Sequence, residues 1–126
     1  MPARLYGAAA EFAERRYGGG MAEREATFTA TTSVQQVFGN DPERVSVLIV
    51  NTSTNSVYIG FSEAVSATNG ILLSANGGSF QSDVEEDLML PIRAIFCLAA
   101  GAGSGLYVLT ARRYTKTNGN GVNDAN

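Results

Sequence analysis

The sequence predicts an all-β fold, an antiparallel β-sandwich or jelly-roll-like barrel preceded by an N-terminal extension with partial helical character. Short runs rich in β-branched and aromatic residues recur along residues 27–111. Clusters of Gly, Asn, Asp and Pro separate them at regular intervals, and no strong helix stands between them. Together the runs make about six to eight strands. The connections are too short for the crossovers of a parallel α/β sheet.

Residues 44–61, RVSVLIVNTSTNSVYIGF, hold the strongest strand signal. The runs 45–50 and 57–61 flank a polar loop at 52–55, the pattern of a β-hairpin. Such a hairpin places Val50 with Val57, Leu48 with Ile59 and Ser46 with Phe61 on one face, and Val47 with Gly60 and Ile49 with Tyr58 on the other. Both faces are then largely apolar, so each has to be covered. A second hairpin is expected from residues 92–100, the loop GAGSG at 101–105, and residues 106–113, with Pro91 at the strand's start. The core expected from these pairings contains Leu48, Val50, Ile59, Phe80, Leu98 and Val108.

Three regions follow from composition: an arm at 1–25, the sandwich domain at 26–114 and a tail at 115–126. Residues 1–17 set Leu5, Ala8, Ala9 and Phe12 at helical spacing, but Gly7 interrupts a segment too short to hold as an isolated helix. The glycines at 18–20 form a flexible joint. The arm's charges, Arg4, Arg15, Arg16 and Arg24 against Glu11, Glu14, Glu23 and Glu25, cancel. A narrow apolar stripe with balanced charge suits contact, with a neighbouring subunit or with the chain's own domain, rather than long-range steering. In the domain, TFTATTSVQQVF suggests one or two outer strands, and short strands are expected at 71–73 and 79–82. The acidic group Asp83, Glu85, Glu86 and Asp87 lacks the spacing of a calcium loop and is expected as a solvated turn. The tail, TNGNGVNDAN at its end, has the composition of disordered chain.

Composition excludes several classes of function. With 9 basic against 12 acidic residues, the 126-residue chain carries a net charge of -3 and lacks the basic excess of a nucleic-acid binder. Histidine is absent, which removes the commonest general base and zinc ligand. The single Cys97 sits in an apolar run and is expected as a buried inert thiol. A Ser or Thr nucleophile would need a Lys partner, and Lys116 in the tail is the only lysine. No window has the run of about 20 apolar residues that a membrane span needs. The expectation is a non-enzymatic protein with no catalytic, cofactor or metal site.

The order of motifs carries a resemblance. An Arg before an aliphatic strand (Arg44), N-x-S (Asn51, Ser53), the strand YIGF at 58–61, NGIL at 69–72, a glycine turn (Gly77, Gly78) and AIFCLAAGAG at 94–103 resemble small virion structural proteins of tailed bacteriophages. The resemblance covers roughly residues 27–111; the acidic stretch 83–87 and the arm before Met21 depart from the pattern. It implies a capsid decoration or cement subunit, or another head-to-tail, tail or fibre component, built as a β-sandwich and made in the host cytoplasm for the virion. The implied partners are the major capsid protein or other virion subunits, and a homo-oligomer that by analogy is a trimer. A carbohydrate- or receptor-binding module using Tyr58 and Tyr107 as stacking platforms is the competing class. The candidate interface residues are Leu5, Phe12, Arg15, Arg16, Tyr17, Tyr58, Tyr107, Arg112 and Arg113.

Overall fold

Strands form where the β-branched and aromatic runs lie, but they pair differently from the expected hairpins. The structure, a computed structural model, describes residues 18–114 together with Glu11, Arg15 and Arg16, which are helical. Its eight strands are β1 Gly20–Ala30, β2 Gln35–Phe38, β3 Arg44–Asn51, β4 Val57–Gly60, β5 Ile71–Leu73, β6 Ser79–Asp83, β7 Ile95–Ala99 and β8 Ser104–Tyr114. They form two four-stranded sheets in the orders β1-β8-β3-β6 (sheet A) and β2-β7-β4-β5 (sheet B). Every neighbouring pair is antiparallel. The chain changes sheet at each connection except β4–β5, which gives the jelly-roll form of the expected sandwich.

Both expected hairpins are therefore corners between sheets. β3 pairs with β6 and β8, and β4 pairs with β5 and β7. β7 and β8 likewise lie in opposite sheets. A polar loop between two apolar runs is common to hairpins and to corners, and here the side chains inside the loop decide. Asn51, 0% exposed, turns inward and its Nδ2 donates to the carbonyls of Asn55 (2.7 Å), Leu73 (2.9 Å) and Ser74 (3.2 Å). Its Oδ1 accepts from the Ser53 N–H and hydroxyl. The N-x-S motif thus satisfies the buried backbone of the bend.

At the other end of β3, a register shift between Arg44 and Ser46 turns Arg44 inward. The buried guanidinium donates from Nε to the Pro91 carbonyl (2.8 Å) and from Nη2 to the carbonyls of Gly39 (2.9 Å) and Arg93 (3.0 Å). It also lies 4.8 Å from the centroid of the Phe38 ring. Pro91 does not open a strand. It sits at the start of the 3₁₀ turn Leu90–Ile92, where its fixed φ fits, and the strand begins at Ile95.

Between the sheets lie Val47, Ile49, Val57, Ile59, Leu73, Ile95, Cys97, Leu106 and Val108. Ile59 and Val108 are buried as expected, and Phe80 packs against the core from β6. Leu48, Val50 and Leu98 instead face outward and are half-buried. With apolar residues on both sides of each run, the pairing partner decides which side is inside, and the corners reverse it. β1 also begins earlier than the sequence suggests, so residues 20–25 of the expected arm are paired strand. The joint at 18–20 is packed: Gly18 has φ +76°, and a Cβ at Gly19 or Gly20 would collide with Tyr114. The tail at 115–126 lies outside the described residues.

Ile59→Ala should cost about 2–5 kcal/mol, whereas Leu98→Ala, on the outer face of sheet B, should cost about 1 kcal/mol or less. Denaturant unfolding of both variants checks the assignment, and equal losses would contradict it. Arg44→Lys replaces two donor nitrogens held apart in a planar fork by one ammonium nitrogen, which cannot occupy both the Nε and the Nη2 positions, and should cost about 2 kcal/mol or more in the same experiment.

Candidate functional site

The candidate residues do not converge on one site. Leu5, Phe12 and Tyr17 lie outside the described residues. Arg15 and Arg16 are helical and exposed, and Arg16 Nε donates to Glu85 Oε2 at 2.6 Å, joining the N-terminal segment to the loop after β6. Tyr58 stands on the outer face of sheet B between Leu72 and Leu98. Tyr107 stands on the outer face of sheet A beside Val50 and Thr27, its hydroxyl donating to Glu25 Oε2 at 2.7 Å. That bond raises the Tyr107 pKa.

Arg112 and Arg113 point to opposite sides of β8, and both reach the turn between β2 and β3. Arg112 forms a fork to Asp41, Nε to Oδ2 at 2.9 Å and Nη2 to Oδ1 at 3.0 Å. Arg113 Nε donates to Glu43 Oε1 at 2.7 Å, and its amide to the Glu43 carbonyl at 2.7 Å. The Arg112 hydrogen bonds hold the Asp41 carboxyl below its usual range despite partial burial. These arginines close the end of the sandwich.

Cys97 is buried, and desolvation pushes its thiol up to about 11. The acidic stretch is a one-turn helix, Val84–Asp87, rather than a loose turn: Asp83 Oδ1 accepts from the Glu86 N–H at 2.9 Å, and Asp87 Oδ2 accepts from the Asp83 N–H at 3.2 Å. No group of three or more potential metal ligands occurs among the described residues.

Three surfaces remain. Each outer face carries an apolar stripe, Leu48, Val50, Tyr107 and Leu109 on the central strands of sheet A, and Tyr58, Phe96 and Leu98 on the central strands of sheet B with Leu72 beside them on the edge strand β5. Leu72 is 54% exposed. The second surface is a groove of about 620 Å³ whose walls include Ala22, Arg24, Ala26, Phe28, Phe38 and Arg112. It arises from a mismatch in length: β1 and β8 pair over eleven residues, while β2, facing them from the other sheet, has four. The third is the tip after the one-turn helix, where Leu88 is 70% and Met89 64% exposed. Leu88 holds φ 55° and ψ -104°, a conformation that disfavours a residue with a Cβ. Neither the groove nor the tip was visible in the sequence, since one depends on strand lengths and the other on a turn between two short helical segments.

No family model and no curated protein matches the chain. Among solved structures, a chain from the Bacillus endospore appendages, a family of disulfide-linked pili, is similar to it at 11% identity with a TM-score of 0.51, over 76% of this chain and 88% of that one. A chain from the crystal structure of tomato aspermy virus aligns at 7% identity and a TM-score of 0.45, over 79% and 80%. The first likeness is one of fold.

Asp41→Asn should destabilise the protein by about 0.5–1 kcal/mol at neutral pH, a figure discounted for the exposed guanidinium of Arg112. Because the folded state lowers the Asp41 pKa below 3.8, the contribution is fully present above that value and is lost as pH falls through the depressed one. Unfolding curves at neutral pH and in acid should show the variant's deficit vanish in acid, and equal stability at neutral pH would contradict the ion pair's role.

Proposed function

We propose that this chain is a non-enzymatic structural subunit of a virion, a decoration or cement protein that binds the major capsid protein of a tailed-bacteriophage head and stabilises the shell. The observation that carries the reading is the sandwich itself: both outer faces present apolar stripes, and no further layer among the described residues covers them. Its distinctive ionisable groups are spent on structure, in the ion pairs at Asp41 and Glu43, the cap at Asp83 and the buried thiol of Cys97. The order of motifs along the strands supports a phage subunit, and a fold shared with a pilus chain supports an assembly role. Tyr58 and Tyr107 lie on opposite sheets, which disfavours one carbohydrate platform built from both. No helix among the described residues is long and apolar enough to cross a membrane.

In this reading the segment before β1 is a docking arm that grips the neighbouring subunit. The test is co-sedimentation of purified protein with empty heads and, separately, with tails. Saturable binding to heads, with a higher temperature of head disruption, is the expected result; binding to tails alone would move the subunit to the tail, and binding to neither would overturn the reading. Removal of residues 1–17 should abolish head binding and leave the unfolding transition of the free protein in place.

A further inference from the structure

We infer that copies of this chain associate head to tail, the tip around Glu86, Leu88 and Met89 of one copy entering the groove beside β1 of the next. The inference deepens the assembly reading and rests on it. The two surfaces match in chemistry. The tip is apolar and acidic: Leu88 and Met89 are mostly solvent-exposed, and the Glu86 carboxylate has no ion-pair partner among the described residues. The groove is apolar, and its rim carries Arg24 and Arg112 together with Glu23 and Asp41, Glu23 alternating with Arg24 along β1 and so directed to the other face of sheet A. Arg24 is exposed and makes no ion pair among the described residues, whereas Asp41, on the same rim, is neutralised by Arg112. In the proposed contact Glu86 meets Arg24 of the next copy.

They also match in position. The row Glu23–Ala111–Ser46–Asp83 crosses sheet A from one edge to the other, so the tip that follows Asp83 and the groove wall around Ala22 and Arg24 lie at the same height. β1 and β6 are the two edges of that sheet and run antiparallel to each other. A second copy set beside the first in the same orientation brings its tip to the groove without tilting. β1 offers a straight edge of eleven residues, with no bulge in its pairing to β8, alongside which the neighbour can lie. Such a contact joins unlike surfaces, so it closes into a ring when the rotation between copies permits and otherwise extends as a filament.

The test uses single-cysteine reporters in the full chain. Met89→Cys and Ala26→Cys are exposed positions, and the buried Cys97 stays silent to a short bis-maleimide. A mixture of the two variants should yield a cross-linked dimer containing one of each, each variant alone should yield little, and a chain carrying both should form a ladder or closed rings. Arg24→Glu in the Ala26→Cys chain should lower the mixed yield several-fold, and Glu86→Lys in the Met89→Cys partner should restore it. Absence of the mixed cross-link overturns the inference in every case. If light scattering still shows oligomers, or heads still bind the protein, assembly uses another surface or the groove takes a capsid segment, and the assembly reading survives. If the chain neither associates nor binds heads or tails, both fail.

Discussion

Arg44 holds the two sheets in their relation to each other. Its guanidinium is buried and bonded to carbonyls of three separate residues, Gly39 before β3 and Pro91 and Arg93 before β7, while its face covers Phe38 of β2. The Pro91 carbonyl and the charge would otherwise be buried without these bonds, at about 1–3 kcal/mol for the carbonyl and more for the charge, while the part-buried bonds to Gly39 and Arg93 tie the flanking turns to the same group. Among the described residues no carboxylate bonds to the charge, and burial draws its pKa down without removing the proton. Asn51 does the same work with a neutral amide at the opposite end of the strand. β3 is thus a pillar with a polar clamp at each end and Val47 and Ile49 packed between them.

This arrangement explains what could be read from the sequence and what could not. Strand positions were legible because β-branched runs and turn residues are local signals. Pairing was not, because Thr52 and its neighbours look alike whether they return the chain along one sheet or carry it across to the other. That error propagated to the faces: in the run 45–50 nearly every residue is apolar, so Leu48 and Val50 looked as suitable for the core as Val47 and Ile49. Ile59 and Val108 were identified correctly despite the wrong pairing, because both faces of their strands had been expected to be covered. The roles of Arg112 and Arg113 depend on where the β2–β3 turn lies in space, 71 and 70 residues away along the chain at Asp41 and Glu43.

The groove and the tip share an origin in unequal strand lengths. A jelly-roll with matched sheets would close over its own inner face. Here β1 and β8 run on past the end of β2 and leave small and basic side chains facing open space. The opposite corner, where β6 gives way to two helical turns in quick succession, forces Leu88 into a strained backbone and presents two large apolar side chains to solvent. Strained backbone of this kind clusters at clamps, switches and contact sites, which is why the tip enters the proposed contact between copies.

The placement of Cys97 bears on how any such assembly is held. With its sulfur in the core and its thiol pushed up to about 11, Cys97 is not placed to form a disulfide between copies of this chain. In the proposed assembly each joint between copies then forms without a disulfide, through packing and charge. A misplaced subunit could leave and try again in such an assembly, which would owe its durability to the number of weak contacts broken together rather than to the strength of any one bond.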